Sequence, residues 1–137
     1  MTLVLDSSVA LAWVYADEGT ERIQQLVERV IVAGAYVPTL WRLEVANSLL
    51  MAVRKGRIDA AFRDAALRDL AELNIMADLQ TDVFAWSSTL RLAEKHRLTI
   101  YDAAYLELAL RLGLPLASLD KELRAAGDAA GVTLLGL

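Results

Sequence analysis

Short apolar runs alternate with helical stretches along the whole chain, and this alternation narrows the architecture more than anything else in the sequence. The runs Thr2-Leu3-Val4-Leu5, Ala35-Tyr36-Val37, Ile75-Met76-Ala77, Leu116 to Leu119 and Val132 to Leu135 are each too short for a helix. Continuously apolar strands are those buried on both faces, which is the habit of parallel sheets. A repeated β-α order therefore calls for a parallel sheet with helices on both faces. Nothing resembling a linker, repeat or low-complexity stretch interrupts it, so residues 1–137 read as one α/β domain.

The helices between these strands carry their own punctuation. Thr20 caps a helix in which Ile23, Leu26, Val27, Val30 and Ile31 recur at helical spacing, and Gly34 ends it. Thr39 is expected to cap the helix Leu40 to Lys55, which Gly56 stops. Asp59 caps a third, with Phe62, Ala66, Leu70 and Leu73 on one face. Asp82 is expected to open one helix running through Trp86, Leu90 and Ala93 to about Lys95. A largely apolar helix follows Asp102 as far as Leu112, with Gly113 as its stop, and a short one follows Asp120.

Four acids fall where chemistry is expected. In an open α/β sheet, ligands bind in the crevice beyond the carboxyl ends of the strands. Asp6 and Asp120 each close a strand, Asp102 heads its helix, and Glu44 lies within the helix after the second strand. Gathered carboxylates repel one another unless a hard cation sits among them, and Mg²⁺ or Mn²⁺ takes oxygen ligands. The chain thus reads as a metal-dependent enzyme. Each aspartate also has a plainer role, since Asp before a helix is a favoured N-cap. Glu44 is too deep in its helix to cap it. It shares a narrow polar stripe with Asn47 and Ser48 and needs a partner, either an arginine or a metal. Ser7 and Ser8 after Asp6, and Ser118 before Asp120, supply hydroxyls that can orient water, bind phosphate or cap a helix.

These motifs resemble the PIN-domain nucleases. Asp6-Ser7-Ser8-Val9, Glu44-Val45-Ala46-Asn47, Tyr101-Asp102-Ala103-Ala104-Tyr105 and Ser118-Leu119-Asp120 stand in the family's order, and within it the chain is similar to the toxin ribonucleases of VapBC toxin–antitoxin pairs. The resemblance implies a three-layer α/β/α fold around a central parallel sheet, and a Mg²⁺ site in which Mn²⁺ can substitute. It further implies hydrolysis of RNA phosphodiester bonds through a metal-bound water. Asp6, Glu44, Asp102 and Asp120 match the acidic positions. Ser8, Asn47 and Ser118 match supporting polar ones, Ser118 standing where many relatives have Thr. A tRNA or rRNA substrate, a cognate antitoxin and a homodimer are implied with it.

Other features are weaker or exclude alternatives. A net charge of −4 argues against a simple electrostatic nucleic-acid binder. Without cysteine, and with a single histidine, a zinc site is not supported. The chain is 56% hydrophobic, yet no apolar run approaches the ~18 residues of a membrane span. That excess, with Leu43 and Leu50 on a different side of their helix from Val45 and Leu49, points to a protein partner. No signal segment is evident at the start, which fits a cytoplasmic location. His96 reads as a solvated side chain, and Trp13, Trp41 and Trp86 as core or interface. Arg54-Lys55-Gly56-Arg57 and Arg91 to Arg97 read as wet helix ends, the second close enough to Asp102 to contact RNA. Two rival readings stay open. A receiver or phosphatase-like phosphotransfer domain would also place an Asp after the first strand, although Ser8 stands where the phosphatase pattern has a second Asp. A non-catalytic binding module would use its acids as caps.

Overall fold

The computed structural model describes residues 2–15 and 19–137. Five parallel strands, β1 (Val4–Leu5), β2 (Ala35–Pro38), β3 (Ile75–Asp78), β4 (Leu116–Ala117) and β5 (Leu134–Leu135), form one sheet in the order β3-β2-β1-β4-β5. Helices α1 (Ser7–Val14), α2 (Glu21–Ala33), α3 (Trp41–Arg54), α4 (Ala60–Glu72), α5 (Thr81–Phe84), α6 (Ser88–His96), α7 (Ile100–Leu112) and α8 (Lys121–Ala129) cover the sheet in the expected α/β/α arrangement.

The strand order decides where a ligand crevice can open. The chain builds outward from β1 through β2 to β3, then returns to the other side of β1 with β4 and β5. The topological switch point is therefore the crevice between β1 and β4, where Leu5 pairs with Ala117. Val4, Leu5, Leu116 and Ala117 are all buried, so these two-residue strands are held as much by apolar burial as by their few ladder bonds.

Several expected helix boundaries hold for the expected reasons. Thr20 accepts from the Ile23 N–H and Asp59 from that of Phe62, each satisfying one orphan donor. Gly34 ends α2 at φ 74°, where an added Cβ would lie 2.9 Å from the Asn74 carbonyl oxygen that receives the Ala35 N–H. Only glycine fits there, which fixes how β2 enters beside β3.

Other boundaries differ. Thr39 does not cap α3: Leu40 holds the cap position without a side-chain bond, and the Thr39 N–H donates to Thr81 Oγ1 at 3.1 Å. The single helix expected from Asp82 to Lys95 is two, α5 and α6, separated at Ala85-Trp86-Ser87. Trp86, at 93% exposure, covers no core. Ile31 is exposed rather than on the buried stripe of α2, and Phe62 is partly exposed beside the stacked ring of Tyr15. The strands at Leu116 and Val132 are shorter than the apolar runs that announced them. No helix of the described residues is long and apolar enough to cross a membrane.

One internal ion-pair cluster ties α7 to the edge of the sheet. Arg111 Nε donates to Glu107 at 2.9 and 3.1 Å, its Nη2 to Asp78 at the end of β3, and its Nη1 to Gln80 at 3.2 Å. The guanidinium also lies 4.7 Å from the centre of the Phe84 ring. These partners raise the Arg111 pKa still further above its ordinary value, so the cation is permanent.

Candidate active site

Asp6 leaves β1 at the cap position of α1, yet its side chain makes no capping bond. Its Oδ2 instead accepts from Ser8 Oγ at 2.6 Å and from Ser118 Oγ at 2.8 Å. The two hydroxyls are themselves acceptors, from the Leu119 N–H at 2.9 Å and the Asp120 N–H at 3.0 Å. A hydroxyl has one proton to give. With the backbone of β4's exit loop donating into each oxygen, both protons are left for Asp6. The staple spans the switch point, and it joins residues 112 apart in sequence. Asp6 and Ser118 are both buried.

Glu44 lies in the first turn of α3, where its N–H already donates to the Leu40 carbonyl. Its partner is not an arginine. The Tyr105 hydroxyl, from α7, donates to Glu44 Oε1. Tyr105 is fully buried, and burial together with this bond to a carboxylate raises its pKa far above the ordinary value. It therefore remains a protonated donor. Asp102 occupies the third position of α7 and is not the cap either, because Thr99 accepts from the Asp102 N–H at 3.1 Å. Asp120 does perform the plainer role, accepting from the Leu123 N–H at 2.8 Å as the cap of α8.

The acids act on one another electrostatically. Burial raises the pKa of Asp6, the two serine bonds hold it back, and the charge of Asp120 adds to the rise. Burial likewise raises Glu44, with Tyr105 opposing and Asp6 and Asp102 reinforcing. Asp102 is raised by burial and then by Asp120, Asp6 and Glu122. Among the described residues, no arginine, lysine or histidine is a cause of the shift in any of the three. Mutual repulsion without an internal cation is the electrostatic signature of a site for an external one.

The donor set is all oxygen, which suits a hard divalent ion. Among the described residues no three acidic groups stand close enough to cage an ion unaided. Mg²⁺ does not require a cage, since it usually keeps several waters and takes one or two carboxylates. The residues present fit such an ion.

Asn47 is exposed and donates to none of the four acids among the described residues; with Ser48 it lines a cleft of about 740 Å³ between α1 and α3 that Ser8 also borders. The structure thus brings Asp6, Ser8, Ser118 and Asp120 into one bonded group and adds Glu44 and Asp102 through space. Asn47 stands at the margin. Tyr105 and Thr99 are participants not singled out from the sequence. Thr99 was findable, because Thr99-Ile100-Tyr101-Asp102 has the spacing of a capping box before an apolar run. Tyr105 lies one turn beyond Asp102, and only its contact with Glu44, 61 residues away, marks it.

Comparison with known proteins shows the family and the fold. The PIN domain family matches residues 3–129. The chain is 32% identical over 129 residues to Ribonuclease VapC3 of Pyrobaculum aerophilum, covering 90% of this chain and 92% of that one. The crystal structure of PAE2754 from Pyrobaculum aerophilum superposes with a TM-score of 0.68 at 25% identity, over 92% of this chain and 84% of the other. VapBC2 from Rickettsia felis, solved bound to a DNA fragment from their promoter, shares the fold at 12% identity with a TM-score of 0.67, over 100% and 99% of the two chains.

Proposed function

This chain belongs to the PIN-domain family, and on that premise we propose that it is a Mg²⁺- or Mn²⁺-dependent endoribonuclease, the toxin of a toxin–antitoxin pair. The observation that carries the reading is the group of acids at the β1–β4 switch point, Asp6 buried and Glu44, Asp102 and Asp120 half-buried, with no cation paired to them among the described residues. RNA as the substrate class is supported by the name of the relative, Ribonuclease VapC3, which aligns with nearly the whole chain.

Asp6, Glu44, Asp102 and Asp120 would hold the ion. When bound, it supplies an acidified water and positive charge for the scissile phosphate. The chain's own residues arrange the acids. Ser8 and Ser118 lock one oxygen of Asp6, Oδ2. Tyr105, kept protonated, fixes one oxygen of the Glu44 carboxylate while the second stays free of that bond. Thr99 takes over capping and so releases Asp102 for the site. Ser8 and Asn47 border the cleft through which the sugar-phosphate chain would lie.

Cleavage of a labelled single-stranded oligoribonucleotide in Mg²⁺, compared with chelator, tests the assignment. Activity should require the metal and vanish in Glu44→Gln. Near-full activity of that variant would make Glu44 structural and remove the site.

The outer surface supports the partner half of the reading. On α3, Val45 and Leu49 are buried while Leu43 is 75% exposed and Leu50 also meets solvent. An apolar groove of about 400 Å³ between α3 and α4 is bordered by Val45, Leu67, Leu70 and Ile75. It suits an antitoxin segment, and the remaining exposed apolar residues suit a homodimer. Light scattering at micromolar concentration should give a dimer mass, and the product of the neighbouring antitoxin gene should inhibit cleavage. A monomer that ignores that product would remove the partner model.

A further inference from the structure

The connection between α6 and α7 carries a backbone conformation that its residue does not favour. Arg97 ends α6 at φ 54° and ψ 43°, and among the described residues it is the one non-glycine with positive φ. At the end of α7, where the backbone takes the same left-handed conformation, the chain uses Gly113. Glycine adopts this region freely, whereas a side chain with a Cβ is strained in it. Arg97 is exposed; its backbone N–H donates to the Ala93 carbonyl, but its side chain has no hydrogen bond or ion pair among the described residues, so no side-chain contact explains why arginine stands there.

Four residues further on, Tyr101 presents a second such case. It occupies the second position of α7, beside Asp102, and is 61% exposed with no ring or hydrogen-bond partner among the described residues. The other tyrosines are used by the fold. Tyr15 lies against Phe62 and beneath Arg57, Tyr36 sits in β2, and Tyr105 binds Glu44. A cation and a flat aromatic ring, both unengaged, thus flank the short segment that delivers Asp102.

We infer that Arg97 and Tyr101 are substrate-positioning residues, Arg97 pairing with a backbone phosphate of single-stranded RNA and Tyr101 stacking on the adjoining base. This role rests on the nuclease reading and adds to it the side of the acidic site on which the strand is gripped. Single-stranded nucleic acid is held by this combination of positive charge along the backbone and aromatic faces against the bases. A chain of net charge −4, with its acids gathered at the site, needs a local cation to admit a polyanion. Arg97 does not enter the electrostatics of Asp102, so its charge is not consumed there.

Arg97→Gly separates this role from a structural one, because the two make opposite demands. Glycine relieves the backbone strain, so the melting temperature should rise. It also removes the phosphate contact, so KM for a single-stranded oligoribonucleotide should rise about five- to tenfold with kcat within about twofold. The slope of log KM against log salt should fall by about 0.7, the share of one phosphate on a single strand. Arg97→Lys should recover most of the affinity. Tyr101→Ala should raise KM by about tenfold, while Tyr101→Phe, which keeps the ring, stays within about twofold. A more stable Arg97→Gly enzyme with unchanged KM and salt slope would overturn the inference, and so would Tyr101→Phe being as impaired as Tyr101→Ala. In either case wild-type cleavage would leave the nuclease reading standing. A wild type inert toward RNA in Mg²⁺ would instead overturn that reading and this inference together.

Discussion

The protein gathers carboxylates, buried or half-buried, in two places and treats them oppositely. At the edge of the sheet, Glu107 and Asp78 surround Arg111, whose guanidinium bonds to both. At the β1–β4 crevice, Asp6, Glu44 and Asp102 are raised by burial and by neighbouring acids, Asp120 among them, and hydroxyls rather than cations hold Asp6 and Glu44. The first cluster contains its own cation, one guanidinium shared by two carboxylates. The second is geometrically ordered but electrically unfinished. A buried charge without compensation is costly, so keeping such a group ordered makes physical sense when something outside the chain completes it. Acidic content alone would not have separated the two clusters; the presence or absence of an internal cation does.

The largest expected effect separates them by function. Asp6→Asn, Glu44→Gln and Asp102→Asn should each lower RNA cleavage by more than about 10²-fold, beyond the ~10–100-fold usual for outer-shell partners. Arg111→Met should leave kcat and KM within about twofold. Equal losses in both regions would erase the distinction.

Stability should move in opposite directions. Arg111→Met strands Glu107 and should cost roughly 2 kcal/mol, discounted from the 3–5 of a fully buried pair because the guanidinium is partly solvated. Asp6→Asn, measured in chelator near neutral pH, should melt higher than wild type, by several degrees per ~1 kcal/mol of relieved repulsion. A lower melting temperature for Asp6→Asn, with or without metal, would mean that Asp6 is held by its serines for structure alone.

Metal should sharpen the same contrast. Mg²⁺ at about ten times its dissociation constant should stabilise the wild type by about 1.4 kcal/mol, through binding the folded state alone. Asp6→Asn should respond little and Arg111→Met as the wild type does. Thermal shift against metal concentration reads this directly.

The smallest effect is in pH. Asp6, Glu44 and Asp102 have folded pKa values above their unfolded ones, so the folded state holds more protons across that interval. Their contribution is intact below the ordinary carboxylate range and is lost as pH rises through the raised values. In chelator, the stability difference between Asp6→Asn and wild type should therefore widen from mildly acidic to neutral pH. A difference that stays flat or narrows would place the raised acids elsewhere.

Much of this was legible in the sequence where cause and effect are local. Thr20, Asp59, Gly34 and Gly113 act within a turn of themselves, and their spacing announced α2, α4 and α7. A crevice beyond the strand ends followed from β-α alternation and the acids there, but its place between β1 and β4 came only with the strand order. What could not be read depends on distant partners. Thr39 resembles a cap until Thr81 takes its N–H, and the break at Trp86 contains neither Gly nor Pro to signal it. The roles of the site acids likewise diverge only in three dimensions. Asp6 and Asp120 look alike before their helices, yet one receives two serine protons and the other caps α8.

The serine staple also has a consequence for the order of events during synthesis. Ser118 and Asp120 lie just beyond β4, whereas Asp6 is made long before them and waits in the middle of the sheet. Until β4 has been translated, has cleared the ribosome and has docked beside β1, Asp6 lacks one of its two hydroxyls and the acidic group lacks a member. On the proposed reading, the unfinished chain is chemically silent. On that reading the place of β4 in the connectivity makes completion of the acidic group one of the last events in building the chain.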